Sequence, residues 1–492
     1  MMSRFKGLGL TRIALAVIAV CLILLAWWGI LNTQCGLTIR SLMGEGDVPL
    51  LYMVPDNAGN VPGVLIAHGF AGSKQLMYGY GTVLARAGYG VMLLDFDGHG
   101  AASGRLDRQG DGLRRNLNSA YTSLLAQPEI DPNRIALLGH SMGSGAVMQA
   151  AVDQADRYRA VIAVSPTGAE VSPQLPRNFL LQAGALEPRF AANARELLAA
   201  AGGENADLTG GLARKLVIVP NVEHITILFS RESHQSVLDW FNETFGLPLA
   251  PAAPDRRMLW YGLHLAGWLI LIMAVNPLFP KTAPLPPSAR RSPWYWLGLL
   301  LGGLAAVGSV ALLGRMLDVG SLGGLLVGGA LGVWFLVMGL IWLLGGFRPP
   351  RPNGGDLFWG LVLFLILTLA FGVMAQLVWL PWWLNGVRLA RWPLLAAAAL
   401  PWLLAAGLAQ HNTTVGRRAG WWLLQTCVII AGLGLTVAFS PGLFFVVLLL
   451  PVIPIILAIM TIFGAAIDRP WSFAVGNTLF FGWLLVAVFP LS

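Results

Sequence analysis

Ile135-Ala136-Leu137-Leu138-Gly139-His140-Ser141-Met142-Gly143-Ser144-Gly145 decides how the middle of this chain is read. A short run of apolar residues, the length of a buried strand, leads into Gly139-x-Ser141-x-Gly143, and a helical stretch follows. Glycines at 139 and 143 permit the close packing of a sharp strand–turn–helix, which projects the Ser141 hydroxyl at a helix amino terminus. The strand before and the helix after distinguish this serine from one that merely caps a helix.

The same alternation recurs on both sides. Residues 64–67, 91–94, 161–164, 179–182 and 216–219 are further short apolar or β-branched runs, each followed by a loop. Amphipathic stretches at 79–87, 113–126 and 191–201 lie between them. Buried parallel strands separated by helices predict a doubly wound α/β sheet, with residues 48–54 as an earlier strand in an antiparallel edge. Chemistry in such a sheet gathers at the carboxyl ends of the strands.

The loops at those ends carry a consistent set of residues. Strand 64–67 runs into His68-Gly69-Phe70, a loop that can turn the Phe70 N–H toward the serine. With the N–H of Met142 it forms a candidate oxyanion hole. A serine nucleophile needs a base and an orienting carboxylate. His224 follows strand 216–219 through Pro220-Asn221-Val222-Glu223, whereas His234 lies inside an amphipathic helix at 232–245 and reads as a packing residue. Glu187 follows strand 179–182 and is the expected carboxylate; Glu196, Glu204, Asp207 and Glu223 compete, Glu223 awkwardly because it adjoins the histidine. Asp95-Phe96-Asp97-Gly98-His99-Gly100 reads as a structural turn.

Composition separates this middle from its flanks. Of 492 residues, 56% are hydrophobic and 11% charged, well below the roughly 25% charge of a soluble domain. The formal net charge of +8 divides as +3 over residues 1–35, −3 over 36–257 and +8 over 258–492. Net positive charge confined to the apolar flanks is a membrane-topology signal rather than a nucleic-acid footprint. The three cysteines, Cys21, Cys35 and Cys427, are too few and too dispersed for a disulfide framework or a metal site.

Residues 13–31 form an uncharged run of membrane-spanning length after Arg4, Lys6 and Arg12, and it lacks the small-residue cleavage site of a signal peptide. Eight further spans are expected near 259–279, 294–313, 321–344, 357–380, 393–409, 420–439, 442–463 and 471–490. Residues 419–467 would extend about 73 Å as one helix, so they must fold back, with Ser440-Pro441-Gly442 as the turn. Pro451 and Pro454 should kink the second arm. Lys281, Arg290, Arg291, Arg348, Arg351, Arg417, Arg418 and Arg469 then fall on the same side as the amino terminus, opposite Arg315, Arg388 and Arg391. The positive-inside rule makes that side cytoplasmic and the middle domain extracytoplasmic. His264 is the polar span residue most worth following, with hydrogen bonding between helices as its expected role. The expected divisions are an anchor at 1–35, a catalytic domain at 36–250 and a transmembrane bundle at 251–492.

His68-Gly69-Phe70, Gly139-His140-Ser141-Met142-Gly143 and Val222-Glu223-His224 resemble the α/β-hydrolase superfamily, in its dienelactone hydrolase and prolyl-oligopeptidase-like branch, over residues 45–247. The resemblance implies a Ser/acid/His triad acting on esters, thioesters or amides through an acyl-enzyme, without metal or cofactor. Glu187 departs from the aspartate usual in that family. The eight-span region resembles no family we recognise. The expected whole is an α/β-hydrolase fold plus an all-α polytopic transmembrane bundle, hydrolysing an amphiphilic or envelope substrate at the bilayer. The alternatives are an acyltransferase using the same triad, or a transporter or scaffold with a degenerate hydrolase module. Residues 165–178 are too few for a helical lid, which leaves the bundle to face the cleft.

Overall fold

A computed structural model describes residues 9–107, 111–280, 282, 284–286, 289–291 and 295–492. Arg4, Lys6 and Lys281, used above in the charge pattern, lie outside the described residues.

Eight strands form one sheet: β1 (Leu37–Gly44), β2 (Val48–Pro55), β3 (Val61–Ala67), β4 (Gly90–Leu94), β5 (Ile130–His140), β6 (Ala160–Val164), β7 (Phe179–Gly184) and β8 (Arg214–Val219). Their order is β1-β2-β4-β3-β5-β6-β7-β8, with β1 and β2 antiparallel and the rest parallel. The predicted doubly wound sheet is therefore present. The strand expected at the antiparallel edge is β2, but β1 pairs outside it and takes the edge itself. β1 is half-exposed and interrupted by Thr38, Arg40 and Ser41, so it lacks the apolar run that marks the buried strands.

Alternate residues along each central strand enter separate cores. Leu65, Met92, Leu137 and Leu181 pack beneath α3 (Gly112–Leu125), α4 (Met142–Asp153) and α5 (Pro188–Ala200), whereas Val64, Val91, Leu138 and Leu180 pack beneath α2 (Tyr78–Arg86) and α6 (Arg231–Phe245). Side chains of opposite parity on a strand point to opposite faces, so these two covers bury both faces of the sheet. Register then aligns the carboxyl ends: Ala67 pairs with Gly139, His140 with Val164, Val164 with Gln182, and Gly184 with Val219.

The apolar helices outside this domain are α1 (Leu10–Asn32), α7 (Arg257–Val275), α8 (Leu297–Leu313), α9 (Gly328–Gly346), α10 (Gly354–Leu367), α11 (Trp392–Gln410), α12 (Val415–Phe439), α13 (Ile453–Ile467) and α14 (Pro470–Val488). Counting short flanking turns, seven helical stretches among the described residues are long and apolar enough to cross a membrane. An eighth arises if the tight helix Pro441–Leu449 and α13, bent by 50°, form one broken span. The bend falls at Leu450, Pro451 and Val452, beside the prolines that anticipate it. The helix α8 is shorter, at 17 residues. α1 lies along α7, where the Trp260 ring covers Gly29 and Trp27 meets the edge of His264. His264 is buried and pairs with the Leu369 carbonyl at 3.2 Å, a packing role.

Polar contacts around the 98–106 loop tie the sheet domain to the bundle. Arg388, fully buried, donates to the carbonyls of Val486, Phe489 and Gly98 at 2.5, 2.9 and 2.5 Å. Asn385 donates to Ala101 and Ala102, and the Leu491 backbone bridges Gly98 and Leu106. Gly98, at φ 79°, is needed here because a Cβ would strike the Leu106 nitrogen and the Leu491 carbonyl. Replacing Arg388 with alanine leaves three buried carbonyls without their charged donor. Thermal unfolding of the full chain in detergent should show a loss of at least about 2 kcal/mol, with faster proteolysis in the 95–104 loop.

Candidate active site

The site begins with backbone geometry. Ser141 sits at φ 51° and ψ −119° between β5 and α4, a conformation that costs a non-glycine residue roughly 1–3 kcal/mol. Its N–H donates to the Val164 carbonyl at 3.0 Å, which ties the turn to the neighbouring strand. A Cβ on Gly143 would lie 2.5 Å from the His68 carbonyl oxygen and 2.6 Å from that of Ala67, so the start of α4 is pressed against the end of β3.

The three residues expected to act together do meet. His224 Nε2 lies 3.0 Å from Ser141 Oγ, and His224 Nδ1 lies 2.8 Å from Glu187 Oε2. Glu187 is buried at the start of α5, where its Oε1 accepts from the Ser165 hydroxyl and the Gly184 N–H, both at 2.6 Å. Sequence reasoning missed Ser165. It is fully buried at φ 47° just beyond β6, and only the placement of β6 beside β7 brings it to the carboxylate.

Glu223, the adjoining competitor, faces its own loop. Its carboxylate accepts from the N–H groups of Ile225 and Thr226 at 3.0 and 2.8 Å, which pins the turn that presents His224. Phe190 stacks on the His224 ring at 4.1 Å. The buried His140 ring sits 4.7 Å away and its Nε2 donates to the His224 carbonyl at 2.9 Å. Burial, reinforced by neighbouring His224, holds His140 well below the usual imidazole range, so it stays neutral. His234 is buried in α6 and bonds the Leu228 carbonyl, the packing role expected of it.

The Phe70 and Met142 N–H groups make no hydrogen bond among the described residues, so both donors remain available. Gly69 abuts the turn, where a Cβ would lie 3.0 Å from Ser141 Cβ. The loop is held from behind. The Phe96 N–H donates to His68 Nε2 at 3.1 Å, and His68 Nδ1 therefore donates to the Gly69 carbonyl at 2.8 Å. Asp95, fully buried, pairs with the Lys74 ammonium and accepts from the N–H groups of Lys74 and Ala101 at 2.7 and 2.9 Å. It is structural, as its turn sequence indicates.

The strand order and the strand–turn–helix around Ser141 are those of the α/β-hydrolase fold, and part of the domain matches a family model of that superfamily. Residues 61–209 match the family described as serine aminopeptidase, S33. The uncharacterized protein MT2364 of Mycobacterium tuberculosis strain CDC 1551 / Oshkosh is 30% identical over 190 residues, covering 35% of this chain and 66% of that one. The chain thus spans just under two thirds of the length of the curated relatives it matches. Among solved structures, a CIB-like hydrolase from Thermoplasma acidophilum aligns with 42% of this chain and all of its own at 19% identity and a TM-score of 0.35. A dienelactone hydrolase from Anabaena variabilis aligns with 44% of this chain and all of its own, at 20% identity and a TM-score of 0.32.

Burial alone would raise the Asp95 carboxyl, but Lys74 and His68 outweigh it and hold the group below its ordinary value. A depressed carboxyl adds stability above the unfolded value, about pH 4, and that stability is lost as pH falls through the folded value. Thermal midpoints measured from about pH 6 down to pH 3 should therefore fall less steeply for Asp95→Asn than for the native chain. At neutral pH the variant should lose about 3–5 kcal/mol, because Lys74 is left buried without its counter-charge.

Proposed function

We propose that the chain is a multi-pass membrane serine hydrolase that cleaves ester, thioester or amide bonds of an amphiphilic or envelope substrate. The observation that carries this reading is the continuous set of hydrogen bonds from Ser141 through His224 to Glu187. A degenerate binding module would have no reason to hold a strained serine in line with a base and its carboxylate.

In the proposed reaction Ser141 Oγ attacks the carbonyl carbon while His224 Nε2 takes its proton. The Phe70 and Met142 N–H groups hold the oxyanion, and Glu187 keeps the second imidazole proton on Nδ1. As the intermediate collapses, His224 returns the proton to the leaving group. Water, or a lipid or glycan hydroxyl, then attacks the acyl-enzyme with His224 as base and releases Ser141.

Charge supports a cytoplasmic amino terminus and an extracytoplasmic hydrolase domain in the cell membrane. The clearest exception in the loop pattern, Arg388, is engaged by three backbone carbonyls at the join with the hydrolase domain. That leaves Arg315 and Arg391 against the larger basic set on the other side.

A fluorophosphonate probe should label the full-length protein at Ser141, and Ser141→Ala should abolish both the adduct and ester turnover. Glu187→Gln should still be labelled, more slowly, with turnover reduced by about 10²- to 10⁴-fold. Unchanged labelling of Ser141→Ala would refute the assignment of the nucleophile.

A further inference from the structure

The side of the cleft carrying Phe70 opens onto the bundle rather than onto free solvent. The Phe70 ring stacks on Phe445 of the bent Pro441–Leu449 segment, with ring centres 3.8 Å apart and planes inclined by 23°. On the triad side, Arg189 in the first turn of α5 lies over Phe444 of the same segment. Consecutive aromatic residues of one bundle segment thus touch both the oxyanion loop and the loop that holds the triad carboxylate.

Beside Phe70 lies a cavity of about 440 Å³, walled by Phe70, Phe439, Leu443, Phe445, Leu326 and Val327, with Arg315 and Asp318 also lining it. That volume is within the range of small-molecule sites. One wall is strained. Val327, buried and β-branched, sits at φ 67° immediately before α9, held there as its N–H donates to the Gly320 carbonyl at 2.7 Å. Such residues are rare outliers that the surrounding structure must enforce. The cavity begins at Phe70, the proposed second oxyanion donor, and ends among the residues at the end of α8, the start of α9 and the end of α12.

We propose that this cavity receives the acyl chain of the substrate, with the Pro441–Leu449 segment as its roof, so that the membrane bundle sets chain-length preference for the hydrolase. The inference rests on Ser141 being the nucleophile. A linear acyl chain bound at the oxyanion hole would run past the Phe70 ring, between aromatic and aliphatic walls, and lie level with the outer leaflet. A bulky acyl group would meet Phe439, Leu443 and Phe445, and a polar one would find no hydrogen-bonding group on those three side chains, Arg315 and Asp318 being the charged residues of the lining.

Gly442 offers a clean test, because it lines the cavity and an added Cβ would meet nothing within 4 Å. The full-length protein in detergent is assayed with butanoyl and dodecanoyl p-nitrophenyl esters, and Ser141 occupancy is followed with a short-chain fluorophosphonate. Gly442→Trp should lower the ratio of dodecanoyl to butanoyl kcat/KM at least about ten-fold while Ser141 still labels. Gly442→Leu should give a smaller shift in the same direction. Gly434→Leu, on the exposed face of α12 outside the cavity and equally free of contact, should leave the ratio as in the native chain. An unchanged ratio in labelled Gly442→Trp, or equal loss on both esters, overturns the cavity proposal and leaves the triad standing. Failure of the native protein to label at Ser141 overturns the triad reading, and the cavity proposal with it.

Discussion

Between the end of β3 and the first turn of α4 there is space for backbone only. The carbonyls of Ala67 and His68 occupy the position a Cβ at residue 143 would need, and the carbonyl of Gly143 in turn covers Gly139. Close approach forces the chain to leave β5 and enter α4 within one residue, which places Ser141 at positive φ with its hydroxyl outside the sheet. The same approach sets the Gly69–Phe70 loop against that serine. Everything catalytic in the proposed account is referenced to this contact. His224 and Glu187 reach Ser141 because parallel register brings β7 and β8 to the same level as β5.

The helical bundle is joined to the sheet domain through loops that flank the Ser141, His224 and Glu187 cluster. The 95–104 loop, whose Asp95 anchors the backbone behind His68, is gripped on its far side by Arg388, Asn385 and Leu491. The Gly69–Phe70 loop itself meets the bundle through Phe70 and Phe445, a stacked pair worth about 0.5–1.5 kcal/mol beyond simple burial. Only 14 residues, 165–178, separate β6 from β7, too few for an inserted lid. A helical bundle seated on those loops can do what a lid does, excluding water and shaping the acyl site.

Much of this was legible from residue order, for identifiable reasons. Runs such as Val161–Ile162–Ala163–Val164 mark strands buried on both faces, and the loops after such runs carry Ser141, Glu187 and His224, which the fold brings within hydrogen-bonding distance of one another. The edge strand β1 escaped notice because half-exposed strands mix polar and apolar residues without a continuous run. Ser165 could not be found from its neighbours, since its role depends on which strand lies beside β6. Arg388 left one trace, a positive charge on the side where the loop pattern disfavours it, but its partners lie about 100 and 290 residues away in sequence. The break near Pro451 was foreseeable, whereas the stacking of Phe445 on Phe70 depends on how two domains meet.

The central claim is that Ser141 is the nucleophile and that its acyl group passes beneath the bundle. A fluorophosphonate carrying a long alkyl chain with a terminal photoreactive group tests both halves in one molecule. After reaction with the full-length protein and irradiation, peptide mass spectrometry should find the phosphonyl adduct on Ser141 and the photo-cross-link within residues 439–445 or at Leu326 and Val327. An adduct on another residue, or cross-links confined to the surface of the sheet domain away from the bundle, would contradict the account.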